Sequence, residues 1–336
     1  MAENSENPTP TMSKEKKKRI FQLKLGISLC LLLFVLWKTE IGNTEGRREL
    51  LLTLRNADER YVLLSLVTGL LPIIVSAWRW QILLRSKGIQ MKITRLFSLY
   101  LVGRFFNLFL PGSIGGDAAR IWGLSQNSGE KREGLASIVV ERASGMIVLI
   151  LFASLALLLG LHQYPLRIFI VALAFLTALT LISFWLILNR DFLALLSRWL
   201  GHRFSLAEIL FTELQHIQDA IRAYKDTPAA LFQAFVLSAL FYCTAIVNVW
   251  VSTCVFLPDA SLFSMLLIVP ALMLIMNLPV SIGGAGLLEA GFAILFPLFG
   301  YPLAVALSTA LLVRCKFLVY GMTGGLLHLN RIKEKG

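Results

Sequence analysis

Charged residues are scarce in this chain of 336 residues. They make up 15% of the sequence, whereas an ordinary soluble domain has about 25%. Hydrophobic residues make up 57%, and several apolar runs reach the roughly 18 residues that indicate a membrane-spanning helix. The composition excludes an ordinary soluble domain and predicts an all-α polytopic membrane protein, since helices satisfy their own backbone groups in lipid.

Cysteine and histidine are also scarce, with four of each. The cysteines lie in apolar runs without paired spacing, and the histidines lack the spacing of metal ligands. The sequence contains no Walker A loop, no His-Glu-x-x-His and no Asp-x-Asp motif. The Gly-Gly-x-Gly at 283–286 has no βαβ unit around it and predicts no dinucleotide site. We therefore expect no metal, no cofactor and no conventional catalytic centre.

The formal net charge of +12 arises from basic residues at the ends of apolar segments. This placement is typical of membrane orientation rather than nucleic-acid binding. No small-x-small cleavage site follows the first apolar segment, so we expect an uncleaved anchor rather than a signal peptide. The positive-inside bias predicts a multi-pass membrane protein with both termini in the cytosol.

The sequence divides into one membrane domain and two short tails. We expect a disordered basic cytosolic tail at 1–19, a single membrane domain at 20–325 and a cytosolic tail at 326–336. The membrane domain comprises a first half at 20–188, an amphipathic cytosolic connector at 189–228 and a second half at 229–325.

Six apolar segments are interpreted as full spans, namely 20–37, 61–84, 135–160, 166–188, 229–256 and 303–322. A seventh, at 262–279, is interpreted as the first half of a hairpin. Two others, 96–110 and 287–299, are too short to span comfortably. Each short segment adjoins a copy of Pro-x-Ser-Ile-Gly-Gly, at 111–116 and 279–284. We expect re-entrant hairpins at about 96–127 and 262–299 besides the six spans. If the hairpins cross completely, the spans number eight.

The two copies of this pattern agree at five of six positions and lie 168 residues apart, half the chain length. Under the predicted topology they enter the membrane from opposite sides. That arrangement is typical of inverted-repeat transporters, whose broken helices meet near the midplane to form the substrate site. Chance is the alternative, because Gly, Ser and Ile are common in membrane helices, but both copies also follow a leucine.

A lipid phosphate would suit the first break. Gly115 and Gly116 are expected to shape its turn, with Asp117 as the N-cap of the returning helix. The helix N-terminus favours an anion, and Arg120 lies one turn further on. Ionisable residues inside apolar segments usually face a cavity or a partner. Among those in this sequence, three are acidic and five are basic, and this excess of positive charge would suit a phosphate head group. The predicted substrate-binding residues are Arg104, Asn107, Ser113, Gly115, Gly116, Asp117, Arg120, Glu141, Arg142, Asn277, Ser281, Gly283, Gly284, Glu289, Arg314 and Lys316.

Structural roles compete with these assignments. Glu141 with Arg142, or Glu289 with a base on the last span, would also make sense as ion pairs without a ligand. Arg79 and Trp80 lie near the end of a span, where both residue types are common as interfacial anchors.

Four segments resemble a known family: GRFFNLFLPGSIGGDAARIW, VERASGMIVL, NLPVSIGGAGLLEAGF and AWRWQILLRSKG. They are similar to the lysylphosphatidylglycerol synthase transmembrane region, including stand-alone membrane proteins of the UPF0104 or YbhN-like group. In two-domain synthases this region is associated with flipping an aminoacylated lipid, while a soluble domain transfers the amino acid. The resemblance implies a flippase-like module without aminoacyl transfer.

The leading hypothesis is therefore a translocator for a phospholipid or a polyprenyl-phosphate-linked lipid in a bacterial inner membrane. One alternative is an intramembrane transferase that uses Asp117, Glu141 or Glu289 as a general base. Another is a non-catalytic partner that binds a lipid-biosynthesis enzyme through the connector. The sequence leaves the lipid, the direction of transport, the energy source and the oligomeric state open.

Overall fold

A computed structural model of the protein describes residues 44–110, 114–128, 131–160, 224–277, 281 and 283–333. It also describes positions 22, 25–31, 33, 174, 178, 219 and 222. Within these residues the chain is helical and contains no strand. The helices are α1 (Thr44–Arg55), α2 (Glu59–Arg85), α3 (Ile93–Phe109), α4 (Ile114–Ser128), α5 (Lys131–Gly160), α6 (Pro228–Cys254), α7 (Leu262–Met276), α8 (Leu287–Leu298) and α9 (Leu303–Lys333).

Several predictions concern segments outside the described residues. These are the N-terminal tail, half of the span at 20–37, most of the span at 166–188, most of the connector at 189–228, and Ser113.

Among the described residues, four helical segments are long and apolar enough to cross a membrane: Glu59–Arg85, Glu133–Ala156, Pro228–Cys254 and Leu303–Asn330. They correspond to four of the six predicted spans and confirm a multi-pass α-helical membrane protein. The apolar helices α7 and α8 have 15 and 12 residues, which is short for a span. α9 continues to Lys333, so the last helix extends into the predicted C-terminal tail.

The helix boundaries follow local chemistry. The side chain of Asp58 accepts a hydrogen bond from the Arg60 backbone N–H at 2.9 Å and caps α2, while Pro228 occupies the first turn of α6. Both features are typical of helix N-termini. Before α8, Gly283 and Gly284 have φ values of 57° and 69°, a left-handed conformation that glycine adopts without steric cost.

α3 and α4 form an antiparallel hairpin. A Cβ on Gly103 would lie 3.0 Å from the Gly116 carbonyl oxygen, and a Cβ on Gly123 would lie 2.3 Å from Leu99 Cδ2. Earlier residues of α3 therefore face later residues of α4. The close approach depends on glycine, because any side chain would force the two helices apart.

α7 and α8 form a second antiparallel hairpin. Here a Cβ on Gly291 would lie 2.6 Å from Leu272 Cδ1, and one on Gly284 would lie 2.8 Å from Met276 Cε. The second break also meets the end of α3, since a Cβ on Gly283 would lie 3.0 Å from the Leu108 carbonyl oxygen. The ends of the two hairpins thus touch inside the protein.

α9 supports the first hairpin through a close helix crossing. A Cβ on Gly324 would lie 1.9 Å from the Leu101 carbonyl oxygen, and one on Gly321 would lie 2.6 Å from Leu108 Cδ1. Elsewhere α6 packs along α2, and a large apolar core surrounds Phe292 and Phe296 of α8. The hairpins are therefore held against long helices on both sides.

Candidate functional site

Three arginines and two carboxylates surround a cavity of about 350 Å³ between α2, α4, α5, α6 and α7. Its charged wall consists of Arg79, Asp117, Arg120, Glu141 and Arg142, and its apolar wall includes Phe241, Met273 and Met276. With every group in its ordinary ionised state, the charged wall carries one surplus positive charge.

Glu141 of α5 is the centre of the charged wall. Its Oε1 accepts a hydrogen bond from Arg79 at 2.9 Å, and its Oε2 accepts one from Arg120 at 2.5 Å. The Tyr100 hydroxyl also donates to Oε1. Because the side chains of Glu141 and both arginines are at most 8% exposed, removal of one partner would leave an uncompensated buried charge.

Arg79 and Trp80 are buried, so the prediction that they are interfacial anchors is wrong. Arg79 is 6% exposed and also donates to Ser238 Oγ at 2.7 Å. Trp80 is fully buried, and its indole N–H donates to Ser137 Oγ at 2.8 Å. The burial of Arg79 could have been recognised from the sequence. This arginine shares a helix face with Gly69, Pro72 and Ser76, and such small residues suit contact with another helix rather than with lipid.

Arg120 lies between two aromatic rings. Its guanidinium carbon is 4.2 Å from the centroid of the Trp80 ring and 3.9 Å from that of Tyr100, and it also donates to the Tyr100 hydroxyl at 2.8 Å. Cation–π contacts of this kind stabilise a desolvated guanidinium. With Glu141 as its main partner, the geometry favours a positioning role for Arg120 over free contact with a ligand.

Asp117 and Arg142 form the more accessible part of the wall. Arg142 donates to Asp117 Oδ2, and its side chain is 49% exposed. Asp117 is 19% exposed and also lies 3.4 Å from Arg120. The alternative Glu141–Arg142 ion pair does not form, because adjacent helix residues point about 100° apart.

The first break differs from its prediction in two respects. α4 begins at Ile114, so Asp117 lies inside the first turn and is not the N-cap. Gly115 and Gly116 are also helical rather than part of the turn. Their role is close packing, since a Cβ on Gly116 would lie 2.6 Å from Asn107 Nδ2. The Gly116 backbone N–H donates to Asn107 Oδ1 at 2.7 Å, so Asn107 already occupies this N-terminal donor.

The second break is closed by an internal ion pair. Arg314 of α9 donates to the carbonyl oxygens of Gly283 and Gly284 at 2.8 and 2.7 Å. It also donates to both carboxylate oxygens of Glu289, at 2.9 and 3.1 Å. Glu289 in turn accepts from the Gly286 backbone N–H at 2.9 Å. The structural ion pair that the sequence offered as an alternative is therefore present here.

The remaining predicted residues lie in several places. Asn277 lines the cavity, and Ser281 is buried beside the second break. Arg104 is 5.7 Å from the Phe317 ring centroid, and Lys316 bonds to Asn248 and Ser252. Arg104 and Lys316 do not line the cavity. Arg79, Trp80 and Tyr100 complete the site although the sequence analysis did not select them.

The described residues contain no group of three or more His, Cys, Asp or Glu side chains that could hold a metal ion. Asp117 and Glu141 are instead engaged by arginines. A transferase that used Glu141 as its general base would first have to release two guanidinium groups and a tyrosine.

Comparison with known proteins supports a membrane role. A UPF0104 membrane protein of Pyrococcus horikoshii is 25% identical over 147 residues, which cover 43% of this chain and 42% of that protein. The chain thus spans less than half the length of this curated relative. No solved structure matches. The family described as lysylphosphatidylglycerol synthase TM region matches residues 21–323. Since this match covers nearly the whole sequence, the chain belongs to that family.

Proposed function

We propose that the protein moves a phospholipid or a polyprenyl-phosphate-linked lipid between the leaflets of a bacterial inner membrane. The observation that carries this proposal is the cavity, which is lined both by three arginines and by the apolar side chains of Phe241, Met273 and Met276. A lipid with a phosphate head group has the same division between an anionic end and an apolar end. Membership of the synthase TM region family supports a function connected with membrane lipids.

Arg142 is the proposed contact for the head group. It is the most exposed of the three cavity arginines, and its partner Asp117 is itself partly exposed. A phosphate oxygen would replace the Asp117 carboxylate as the acceptor, and a guanidinium favours such oxyanions because it donates in a fork. Exchange of one anion for another avoids leaving the arginine unpaired.

Arg79, Glu141 and Arg120 would act as the rigid floor of the site. Their ion pairs and the rings of Trp80 and Tyr100 leave these side chains little freedom. This arrangement keeps a positive potential at the cavity without requiring each arginine to contact the lipid. The methionines suit the acyl or prenyl end, since their flexible side chains adapt to different chain shapes.

The two hairpins provide the proposed route. Their ends touch at Gly283 and Leu108. In the proposal they are two inverted, re-entrant broken helices that meet around a central substrate site. In the proposal, the hairpins enter from opposite sides and rock against the long helices, so that the cavity opens to one leaflet at a time. Both termini lie in the cytosol under this arrangement.

The proposed role is transport rather than catalysis. Glu141 is held by two guanidinium groups and a tyrosine hydroxyl, and such an environment disfavours proton abstraction from a substrate. A lipid is the proposed partner, and nucleic acid is not. Binding of a lipid-biosynthesis enzyme through the connector remains a prediction.

Reconstitution into liposomes tests the proposal. Fluorescent phosphatidylglycerol, phosphatidylethanolamine and a polyprenyl phosphate would be placed in both leaflets, and loss of outer-leaflet fluorescence after a membrane-impermeant quencher would be followed. We expect the protein to render at least one anionic lipid fully accessible. Arg142→Gln should slow this movement, whereas Arg85→Gln, at an exposed position outside the cavity, should not. Quenching that stays limited to the outer-leaflet fraction for every lipid in the panel would refute the proposal.

A further inference from the structure

α9 carries a buried lysine that the proposed lipid site does not use. Lys316 is 1% exposed and does not line the cavity between α2, α4, α5, α6 and α7. Its segment, Leu303–Asn330, is one of the described helices that are long and apolar enough to cross a membrane. Ionisable residues at such positions are costly and usually serve ion or proton pathways.

Three oxygen atoms surround the Lys316 amine. Nζ donates to Ser252 Oγ at 2.6 Å, to Asn248 Oδ1 at 2.8 Å and to the Ser65 carbonyl oxygen at 3.4 Å. An ammonium group has three N–H donors and no acceptor. The pocket therefore offers one acceptor for each N–H of the protonated form, with Ser65 on α2 and the other two on α6.

No carboxylate neutralises this amine among the described residues, where Lys316 forms no ion pair. The groups that face it from α2 and α6 are uncharged. Tyr320, one turn further along α9, is the nearby titratable group, and its hydroxyl donates to the Leu66 carbonyl oxygen at 2.6 Å. Arg104 of α3 lies near Tyr320. Uncharged acceptors can stabilise an ammonium, but they offset its desolvation less than a counter-ion would.

We propose that Lys316 is a proton-binding site that couples lipid movement to a transmembrane proton gradient, an inference that rests on the proposed function. In one state, the Nζ lone pair accepts a proton from water on one side of the membrane. In the other state, Nζ returns that proton to water on the opposite side. The neutral amine keeps two N–H donors, so one of its three contacts to α2 or α6 is lost.

Loss of a proton from Lys316 can affect both the second break and the cavity, because α9 and α6 each contribute to one of these regions. Arg314, two residues before Lys316, holds the carbonyl groups of the second break. α6 contributes Phe241 and Tyr242 to the cavity, and Tyr242 lies about 9 Å along the helix from Asn248. Loss of a bond between α9 and α6 therefore alters the support of the second hairpin and one wall of the lipid site.

The test uses reconstituted full-length protein with fluorescent lipid and an internal pH dye. An imposed gradient of pH should drive the leaflet ratio of the lipid away from its value without a gradient, by at most about tenfold per pH unit for one proton per lipid. Lys316→Met should still exchange lipid between leaflets but lose the response to the gradient. Lys316→Arg should behave in the same way, because an arginine does not release its proton. Lys225→Met, at an exposed position, should respond as the wild-type protein does.

The outcomes separate this inference from the function on which it rests. A wild-type protein that moves no lipid under any condition refutes the proposed function. Lipid movement without any response to the gradient, or an undiminished response in Lys316→Met, overturns the proton proposal alone. If Lys316→Met does not elute as a monodisperse species, Ser252→Ala replaces it. That variant keeps the lysine but removes one acceptor, and an unchanged pH midpoint of the gradient response would also overturn the proposal.

Discussion

The two copies of Pro-x-Ser-Ile-Gly-Gly have opposite surroundings. After the first copy, Asp117 and Arg120 face a cavity that contains further charged groups. After the second copy, Arg314 binds both glycine carbonyl groups and the Glu289 carboxylate. The residues that follow the first copy thus line a cavity, whereas the second break is sealed by Arg314.

The glycines of the two copies also differ. Gly115 and Gly116 are helical and permit close contact with α3, whereas Gly283 and Gly284 have positive φ values. The shared pattern therefore marks an interruption between two helices, and it does not specify a ligand. The residues that follow it decide the chemistry, namely Asp-Ala-Ala-Arg in one case and Ala-Gly-Leu-Leu-Glu in the other.

The largest expected effect is at the sealed break. Arg314→Met should lower the free energy of unfolding by about 3–5 kcal/mol, because it removes the counter-charge of Glu289 and the donor to two carbonyl groups. Thermal unfolding of the purified protein in detergent would measure the loss. Arg314→Met combined with Glu289→Met should be more stable than Arg314→Met alone. A single variant as stable as the wild type would contradict the assignment of Arg314 as a structural seal.

Glu141→Gln should have the next largest effect, about 3 kcal/mol, because the neutral amide removes the buried counter-charge that Arg79 and Arg120 share. Arg120→Ala should also destabilise the protein, since Arg120 is bonded to Glu141 and stacked on two rings. Thermal unfolding would compare them with Glu49→Gln, which lies on the exposed face of α1. Full stability of Glu141→Gln would show that the charged wall is not an ion-pair network.

The sequence was sufficient for the coarse architecture. Long apolar runs predicted four spans that the structure shows, and the repeated pattern located both helix interruptions. It also placed Asp117, Arg120 and Glu141 in one group, because intramembrane charges tend to face each other. These predictions depend on local composition, which the linear sequence contains.

The rest of the site depends on which helix faces meet. Arg79 lies 62 positions before Glu141 in the sequence, and their contact arises only when α2 packs against α5. Lys316 was grouped with the ligands although its amine points toward α2 and α6. The helical conformation of Gly115 and Gly116 was missed because glycine permits both a turn and a close helix contact.

A smaller effect should distinguish the glycines of the two breaks. Gly284→Ala should cost about 1–3 kcal/mol, because alanine at a φ of 69° is strained. Gly116→Ala has no such strain, but its Cβ would lie 2.7 Å from the Gly103 carbonyl oxygen and would push α4 away from α3. Lipid transport should therefore fall more in Gly116→Ala than in Gly284→Ala when both are compared at a temperature where they stay folded. The reverse order would indicate that the second break forms the lipid site.

Substitution of Arg142 should have the smallest effect on stability. Its effect on lipid transport should nevertheless be large. Its side chain is half exposed, so Arg142→Gln should change the free energy of unfolding by about 1 kcal/mol or less. Movement of an anionic lipid should nevertheless slow markedly, because the proposed phosphate contact is lost. Arg142→Lys should restore only part of it, since an ammonium lacks the guanidinium fork.

Asp117→Asn provides the matching test, because it removes the internal anion that competes with the lipid phosphate. If Arg142 exchanges Asp117 for phosphate, this variant should bind anionic lipid more tightly and release it more slowly. The double variant Asp117→Asn with Arg142→Gln should then transport no better than Arg142→Gln alone. If Asp117 and Arg142 merely hold α4 against α5, each single change should instead destabilise the protein, and the double variant should recover stability and transport together. A double-mutant cycle that measures both quantities decides between these roles, because only a ligand contact separates the loss of transport from the loss of stability.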